Sequence, residues 1–416
     1  AGGRAMAWLT EYPIATASSA VFYLFLALLA FAPTRALLAP FFVHPVPPHQ
    51  KYLQGFDTIR GFAACLVAIG HCSWATYPVF ANAQSIFPIV GFAVKAVPIF
   101  AVLSGFLIYR SALAISSLQD LRAYIVRRFF RIYPVYLAAV IACLAIGQYV
   151  GNQQHTGFAF FMADFFMFNV ISWPAYANPP AWSLYIEVTF YAFMPLALIT
   201  VGQRRMLLLA TLAIAAMVLA DHPSRVFVLW RYFLFGIVAS ELSPRVGKWA
   251  PVIFAAGIIM LAVDFLGPKS DWIAALRIGL VHGDLSTLAL GISVAMILMS
   301  LPHLPKIGAT LNLLPLRIIG VISYSVYLTH FFYIRASFPA IERFTQAGTQ
   351  PVYDVLAAMP QTPSWYLPFV FFPGILTWGA LCFLLVERPG MQLGQYLLRR
   401  PYAPARGAGI RLQPAE

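Results

Sequence analysis

Residues 52–76 read YLQGFDTIRGFAACLVAIGHCSWAT, an apolar run broken only by the ionisable groups Asp57, Arg60 and His71. A run of that length is enough helix to cross the ~30 Å of hydrocarbon in a bilayer. It lacks the alternating apolar and polar pattern of a membrane β-strand. In hydrocarbon every backbone N–H and C=O must be satisfied within the segment, so the run is expected to be helical. Arg60 and His71 stand eleven residues apart. Eleven residues is almost three turns, so both side chains fall on one face, about 16 Å apart along the axis.

The same kind of run recurs along the chain. Eleven spans are read at 14–40, 52–76, 86–110, 132–150, 182–201, 206–220, 225–242, 250–266, 284–301, 316–336 and 366–388. Residues 14–32 are apolar over more than a signal-peptide h-region and are expected to be a span. Pro40, Pro45, Pro47 and Pro48 separate this first helix from a ten-helix core. The Phe-rich run 157–172 reads as an interfacial helix or a re-entrant piece. The organisation expected is residues 1–50 as an extra helix and Pro-rich linker, 51–390 as the membrane domain and 391–416 as a tail.

Composition supports an all-α polytopic membrane protein. Of 416 residues, 61% are hydrophobic and 10% charged, against roughly 45–50% and 25% in soluble domains. Cys65, Cys72, Cys143 and Cys382 all fall in apolar runs and suggest no disulfide framework. The net charge of +13 does not point to nucleic acid, because the basic residues are scattered between the spans. It fits the positive-inside rule. Arg110, Arg122, Arg127, Arg128, Arg131, Arg204, Arg205 and the C-terminal arginines fall on alternate loops, and few basic residues fall on the opposite ones. Both ends of the core are therefore expected in the cytoplasm.

Ionisable groups inside spans are expensive and are functional candidates. With this orientation Arg60 lies toward the cytoplasmic leaflet and His71 toward the outer one. Arg60 can also be read as a snorkelling residue paired with Asp57, and His71 as a core histidine bonded to a carbonyl. Glu187, in Trp182-Ser183-Leu184-Tyr185-Ile186-Glu187, is expected at the depth of His71, where it could orient the imidazole or join another ion pair. His330 ends Ser323-Tyr324-Ser325-Val326-Tyr327-Leu328-Thr329-His330 in the same layer. Ser104-Gly105 suits close helix packing. Arg127, Arg128 and Arg131 form a dense cationic group, read as headgroup contact or as phosphate recognition through bidentate bonding. Two layers result: guanidiniums inside, and an imidazole with a carboxylate outside. Coenzyme A fits this arrangement, having phosphates at one end and a thiol on a long arm. No HExxH, CxxC, GxxxxGK[ST] or GxSxG motif occurs, and no metal site is read from the dispersed His and carboxylates.

The ordered set Arg60-x10-His71, Ser104-Gly105-Phe106-Leu107, Arg127-Arg128-x-x-Arg131-Ile-x-Pro134, Trp182-Ser183-Leu184-x-x-Glu187, Ser323-Tyr324-Ser325-x-Tyr327-Leu328-x-His330 and Glu387-Arg388-Pro389 resembles the acyltransferase-3 family of integral-membrane acyltransferases. The resemblance covers about residues 51 to 390. It implies a ten-helix core that moves an acyl group, often acetyl, from cytoplasmic acyl-CoA to hydroxyls of extracytoplasmic or lipid-linked glycans, or to small molecules. It carries the family's Arg and His onto Arg60 and His71, its cytoplasmic arginines onto Arg127, Arg128 and Arg131, and its glutamate onto Glu187. The extra first helix departs from the pattern, and no soluble hydrolase domain is read after the core. His71 and Glu187 are thus the expected catalytic pair. The four arginines would hold acyl-CoA, and Ser104, Trp182, Tyr324 and His330 would line the acceptor side. The expected setting is the bacterial inner membrane. A proton-coupled exporter is the alternative that the intramembrane His and Glu leave open.

Overall fold

The structure is a computed structural model that describes residues 13–30, 32–42, 53–75, 95–145, 162, 164–167, 178–201, 225–266, 285–337 and 367–399. Its main helices are α1 (Pro13–Ala30), α2 (Ala32–Phe42), α3 (Phe56–Ala75), α4 (Ala96–Leu113), α5 (Leu118–Ala145), α6 (Ala181–Val201), α7 (Arg225–Val246), α8 (Ala250–Leu266), α9 (Leu285–Ser300), α10 (Pro305–Leu311), α11 (Leu314–Ser337), α12 (Leu367–Cys382) and α13 (Arg388–Arg399). There is no strand among the described residues. Five helical stretches are long and apolar enough to cross a membrane, and seven if two bent helix pairs each count as a span. The chain is an integral membrane protein built from helices. The expected span 206–220 lies outside the described residues.

Three expected spans take a different shape. Residues 14–40 form two helices whose axes differ by 113°. Pro33 sits at the start of the second, where its ring and missing N–H prevent continuation from the first. The last span does not stop at 388. After α12 a π-helical turn, Phe383–Glu387, leads into α13, which packs along α5 through Gly390 and Gly394 against Phe130 and Pro134. The span expected at 132–150 begins earlier, at Leu118, because Ser117 caps α5. The Ser117 hydroxyl accepts the Asp120 N–H at 3.1 Å, and the Asp120 carboxylate accepts from the Ser116 and Ser117 hydroxyls at 2.8 Å each. This reciprocal capping satisfies donors that the first turn leaves free. It makes the arginine cluster part of a continuous helix and fixes which arginines share a face.

The apolar stretch Leu229–Asp264 is long enough for a single span of unusual length, yet it folds back at Gly247, whose φ is +48°. Glu241 on α7 accepts from Tyr109 near one end of α4. Asp264 on α8 pairs with Lys95 at the opposite end of α4, 2.5 Å away. Helix α9 lies between the two arms. Its Gly291 meets Phe235, and its Met299 carbonyl accepts from Ser243 at 2.9 Å.

Two crossings position the site. Helix α3 packs on α11 and α4 on α7. In the first, a Cβ on Gly320 would lie 2.4 Å from the Asp57 backbone. The backbones approach that closely only because no side chain intervenes. In the second, Gly105 packs against the Phe233 backbone, which leaves its neighbour Ser104 to face the other way. Helices α3 and α11 are long enough to span but less apolar than the five stretches above. The polar groups that lower their hydropathy meet one another between them.

Candidate active site

A cleft of about 60 Å³ opens among α3, α4, α5, α6 and α11. Arg60, Arg128 and Arg131 stand on its wall together with Glu187, Ser104, Ser183, Tyr191, Tyr324 and Tyr327. Arg60 donates to Asp57 at 2.8 Å, one turn earlier on α3. Arg128 donates to the Ser111 hydroxyl at 3.0 Å and lies over the rings of Tyr191, 4.9 Å from its centroid, and Tyr124, 5.6 Å. Such cation–π contacts hold a guanidinium in place without neutralising it. Arg131 is within electrostatic reach of Glu387, Asp57 and Glu187. Arg127 does not line the cleft. One residue from Arg128, it is turned about 100° around α5 and is exposed.

Glu187 is held inside the cleft. Its Oε1 accepts from Ser104 at 2.8 Å and from Tyr191 at 2.6 Å. A carboxylate within a membrane span needs such donors or a cation, and here it has both hydroxyls and the guanidinium wall. The Tyr324 hydroxyl donates to the Ile132 carbonyl at 3.0 Å. The only protons that Ser104 and Tyr324 could offer are therefore already engaged. Tyr327 closes the cleft on the side away from the arginines. Its hydroxyl is 2.6 Å from that of Ser183 and donates to the Pro180 carbonyl at 2.9 Å.

Beyond Tyr327 lies a pair of histidines. His71 Nδ1 and His330 Nε2 are 2.8 Å apart. The rings are within 14° of parallel, with centroids 5.0 Å apart. That separation is reached when the bonded nitrogens lie on the line joining the rings, so this is an edge-to-edge hydrogen bond in a common plane rather than a face-to-face stack. His330 Nδ1 bonds the Val326 carbonyl at 3.2 Å, and Phe331 presents its ring edge-on to His71.

The expected residues are thus brought together in two groups. Arg60, Arg128, Arg131, Glu187, Ser104 and Tyr324 share the cleft. His71 and His330 form the pair, and Trp182 packs against the apolar core beside the cleft wall. The expectation that Glu187 orients His71 is corrected. Among the described residues no hydrogen bond joins them. Glu187 lies level with Ser104 in the arginine layer, and Tyr327 stands between that level and the imidazoles.

Several groups at the site drew no role from sequence reading. Tyr191, one turn after Glu187, caps its carboxylate. Glu387 is buried in the π-helical turn and accepts from Ser325 at 2.7 Å. Asp164 accepts from Tyr136 at 3.2 Å and from Tyr185 at 2.5 Å, tying its segment to α5 and α6. The i, i+4 spacing of Glu187 and Tyr191 could have flagged the first. Glu387 stands in the Glu387-Arg388-Pro389 motif, which marks the residue but not its distant partner Ser325, and no local signal announces Asp164.

The chain matches the acyltransferase domain of the acyltransferase-3 family over residues 53–385. It is 25% identical over 400 residues to nodulation protein 10 of Rhizobium leguminosarum bv. viciae, an alignment covering 85% of this chain and 98% of that protein. It is 26% identical over 309 residues to BcsY of Komagataeibacter xylinus, described provisionally as a membrane-bound transacylase, covering 67% of this chain and 72% of BcsY. No solved structure matches the chain. The protein belongs to the acyltransferase-3 family and is a membrane acyltransferase.

Proposed function

We propose that this member of the acyltransferase-3 family moves an acyl group, acetyl in the first instance, from cytoplasmic acyl-CoA to a hydroxyl of an extracytoplasmic or lipid-linked glycan. The observation that carries this reading is the shared wall of α3 and α11, which has a cationic cleft at one end and a histidine pair at the other. The arginine end faces the cytoplasm and the histidine end faces outward, as the positive-inside distribution favours. In a bacterium the membrane would be the inner one.

Arg60, Arg128 and Arg131 suit the phosphates of the donor, since guanidiniums pair with phosphate through parallel N–H bonds. The cleft has room for a few water molecules, at ~10–15 Å³ each. That space is too small for an adenine nucleotide, and the narrower thiol-bearing arm enters it only if side chains of the wall give way. The nucleotide then stays at the arginine mouth, and the Tyr327 side chain, which closes the cleft, moves aside for the thioester to meet His71. His71 takes the acceptor's O–H proton, and the hydroxyl oxygen bonds to the thioester carbonyl carbon. When the C–S bond breaks, the same proton goes to the departing thiolate. Glu187 balances part of the guanidinium charge in the cleft. The name of BcsY, a transacylase, supports transfer between carriers over simple hydrolysis.

The test is transfer of labelled acetyl from acetyl-CoA to a glycan acceptor by purified protein in detergent. His71→Ala is expected to lower turnover at least ~100-fold, the usual share of general base catalysis, without loss of the folded species on gel filtration. Wild-type turnover in a folded His71→Ala protein would overturn the assignment.

A further inference from the structure

We infer that His330 is the positioning residue of the reaction: it fixes His71 in the tautomer whose Nε2 lone pair is free to act as the base. The inference rests on the reading of His71 given above and extends it to the second imidazole.

The order of protons follows from what each partner can do. A backbone carbonyl only accepts, so the bond from His330 to Val326, at 3.2 Å, requires a proton on His330 Nδ1. Neutral imidazole carries one ring proton, which leaves His330 Nε2 bare. That bare nitrogen lies 2.8 Å from His71 Nδ1 and can only accept. His71 must then carry its proton on Nδ1, so its Nε2 is the unprotonated nitrogen. The common plane and the collinear nitrogens give the bond near-ideal alignment. One carbonyl on α11 thereby sets the proton positions of two rings in series.

The arrangement does the work that a carboxylate does in other histidine sites, without a charge. In hydrocarbon an extra anion is expensive, while a neutral acceptor is not. It accounts for Glu187 lying elsewhere: with His330 in place, His71 needs no carboxylate orienter. When His71 takes the acceptor's proton on Nε2, both of its nitrogens carry protons. Its Nδ1–H still points at His330 Nε2, so the new cation keeps one hydrogen bond. His330 neither gains nor loses a proton in the cycle.

The test compares three substitutions of His330 in the whole protein in detergent, each checked for folding by gel filtration and thermal melting. His330→Gln places an acceptor oxygen where Nε2 stood. His330→Asn is also polar, but its acceptor sits at the Nδ1 position, too short to reach His71. His330→Leu fills the space with no acceptor. Gln is expected to keep kcat within about tenfold of wild type, while Asn and Leu lose about 100-fold, all three with KM for acetyl-CoA and for acceptor unchanged. In ¹⁵N spectra the His71 ring is expected as the Nδ1–H tautomer in wild type and Gln and as a mixture in Asn. If Leu does not fold, the Gln–Asn contrast decides alone. Gln falling as far as Asn, all three retaining full kcat, or losses confined to acceptor KM would each overturn the inference. A dead His71→Ala beside fully active His330 variants sinks this inference only, whereas an active His71→Ala sinks the reading beneath it.

Discussion

The two ends of α3 meet α11 in opposite chemical terms. At the Arg60 end the contact is charged: Arg60 is bonded to Asp57 at 2.8 Å, its side chain is 17% exposed, and it shares a cleft with Arg128, Arg131 and Glu187. At the His71 end the contact is neutral and is lined by Phe331, Tyr327 and His330. The difference matches what each end would handle. Phosphate recognition needs fixed positive charge that persists at any working pH, which guanidinium supplies. A general base needs a lone pair that comes and goes, which a neutral imidazole in a dry setting supplies. One helix can carry both because a span separates them by several turns, and the low dielectric between them keeps Tyr327 and Phe100 the natural lining.

Three perturbations break or sharpen this contrast. The largest acts on both ends at once. Gly320→Leu forces a side chain into the Asp57 backbone. It is expected to lower stability by about 3 kcal/mol, the upper range for overpacking, to drop the melting temperature in detergent by several degrees, and to abolish donor binding and transfer together. If only one of the two is lost, the ends do not depend on a common crossing. The next acts on the charged end alone. Arg131→Ala is expected to raise KM for acetyl-CoA roughly 10- to 100-fold, in line with losing one charge-assisted hydrogen bond, with kcat within a few-fold. Arg127→Ala, at an exposed position on the same helix, is expected to change KM less than about twofold, in line with the small contribution of exposed charges. Equal effects of the two would show that net charge near the mouth matters rather than the cleft wall. The smallest effect expected of a residue on the cleft wall is that of Ser104→Ala, which removes one of two hydroxyls on Glu187. It is expected to cost about 1 kcal/mol, seen as a few-fold change in steady-state rate.

Much of this was legible in the residues. Apolar runs of bilayer length dictate helices, because hydrocarbon offers backbone groups no other partner. The eleven-residue spacing of Arg60 and His71 places both on the face toward α11. The motif order points to the family that the chain belongs to. Hydropathy alone does not show the reach of α5 back to Leu118, because a span ends, to hydropathy, where charges begin, although the Ser117–Asp120 capping signal is present in the sequence. The reversal at Gly247 was implied by the two spans on either side of it.

What depth and spacing could not supply is which polar group meets which. Residue counting put Glu187 and His71 at one depth, yet depth along a helix says nothing of rotation about it or of the tilt between neighbours. The sequence by itself determined the solvent, the helices and the shared face of α3, since these follow from local hydropathy and a fixed helical period. Only the tertiary structure decided that Glu187 joins the arginines, that Arg127 leaves them and that His71 finds a second imidazole. Those pairings depend on how closely glycine-lined helices approach, a property of two surfaces that neither segment encodes alone.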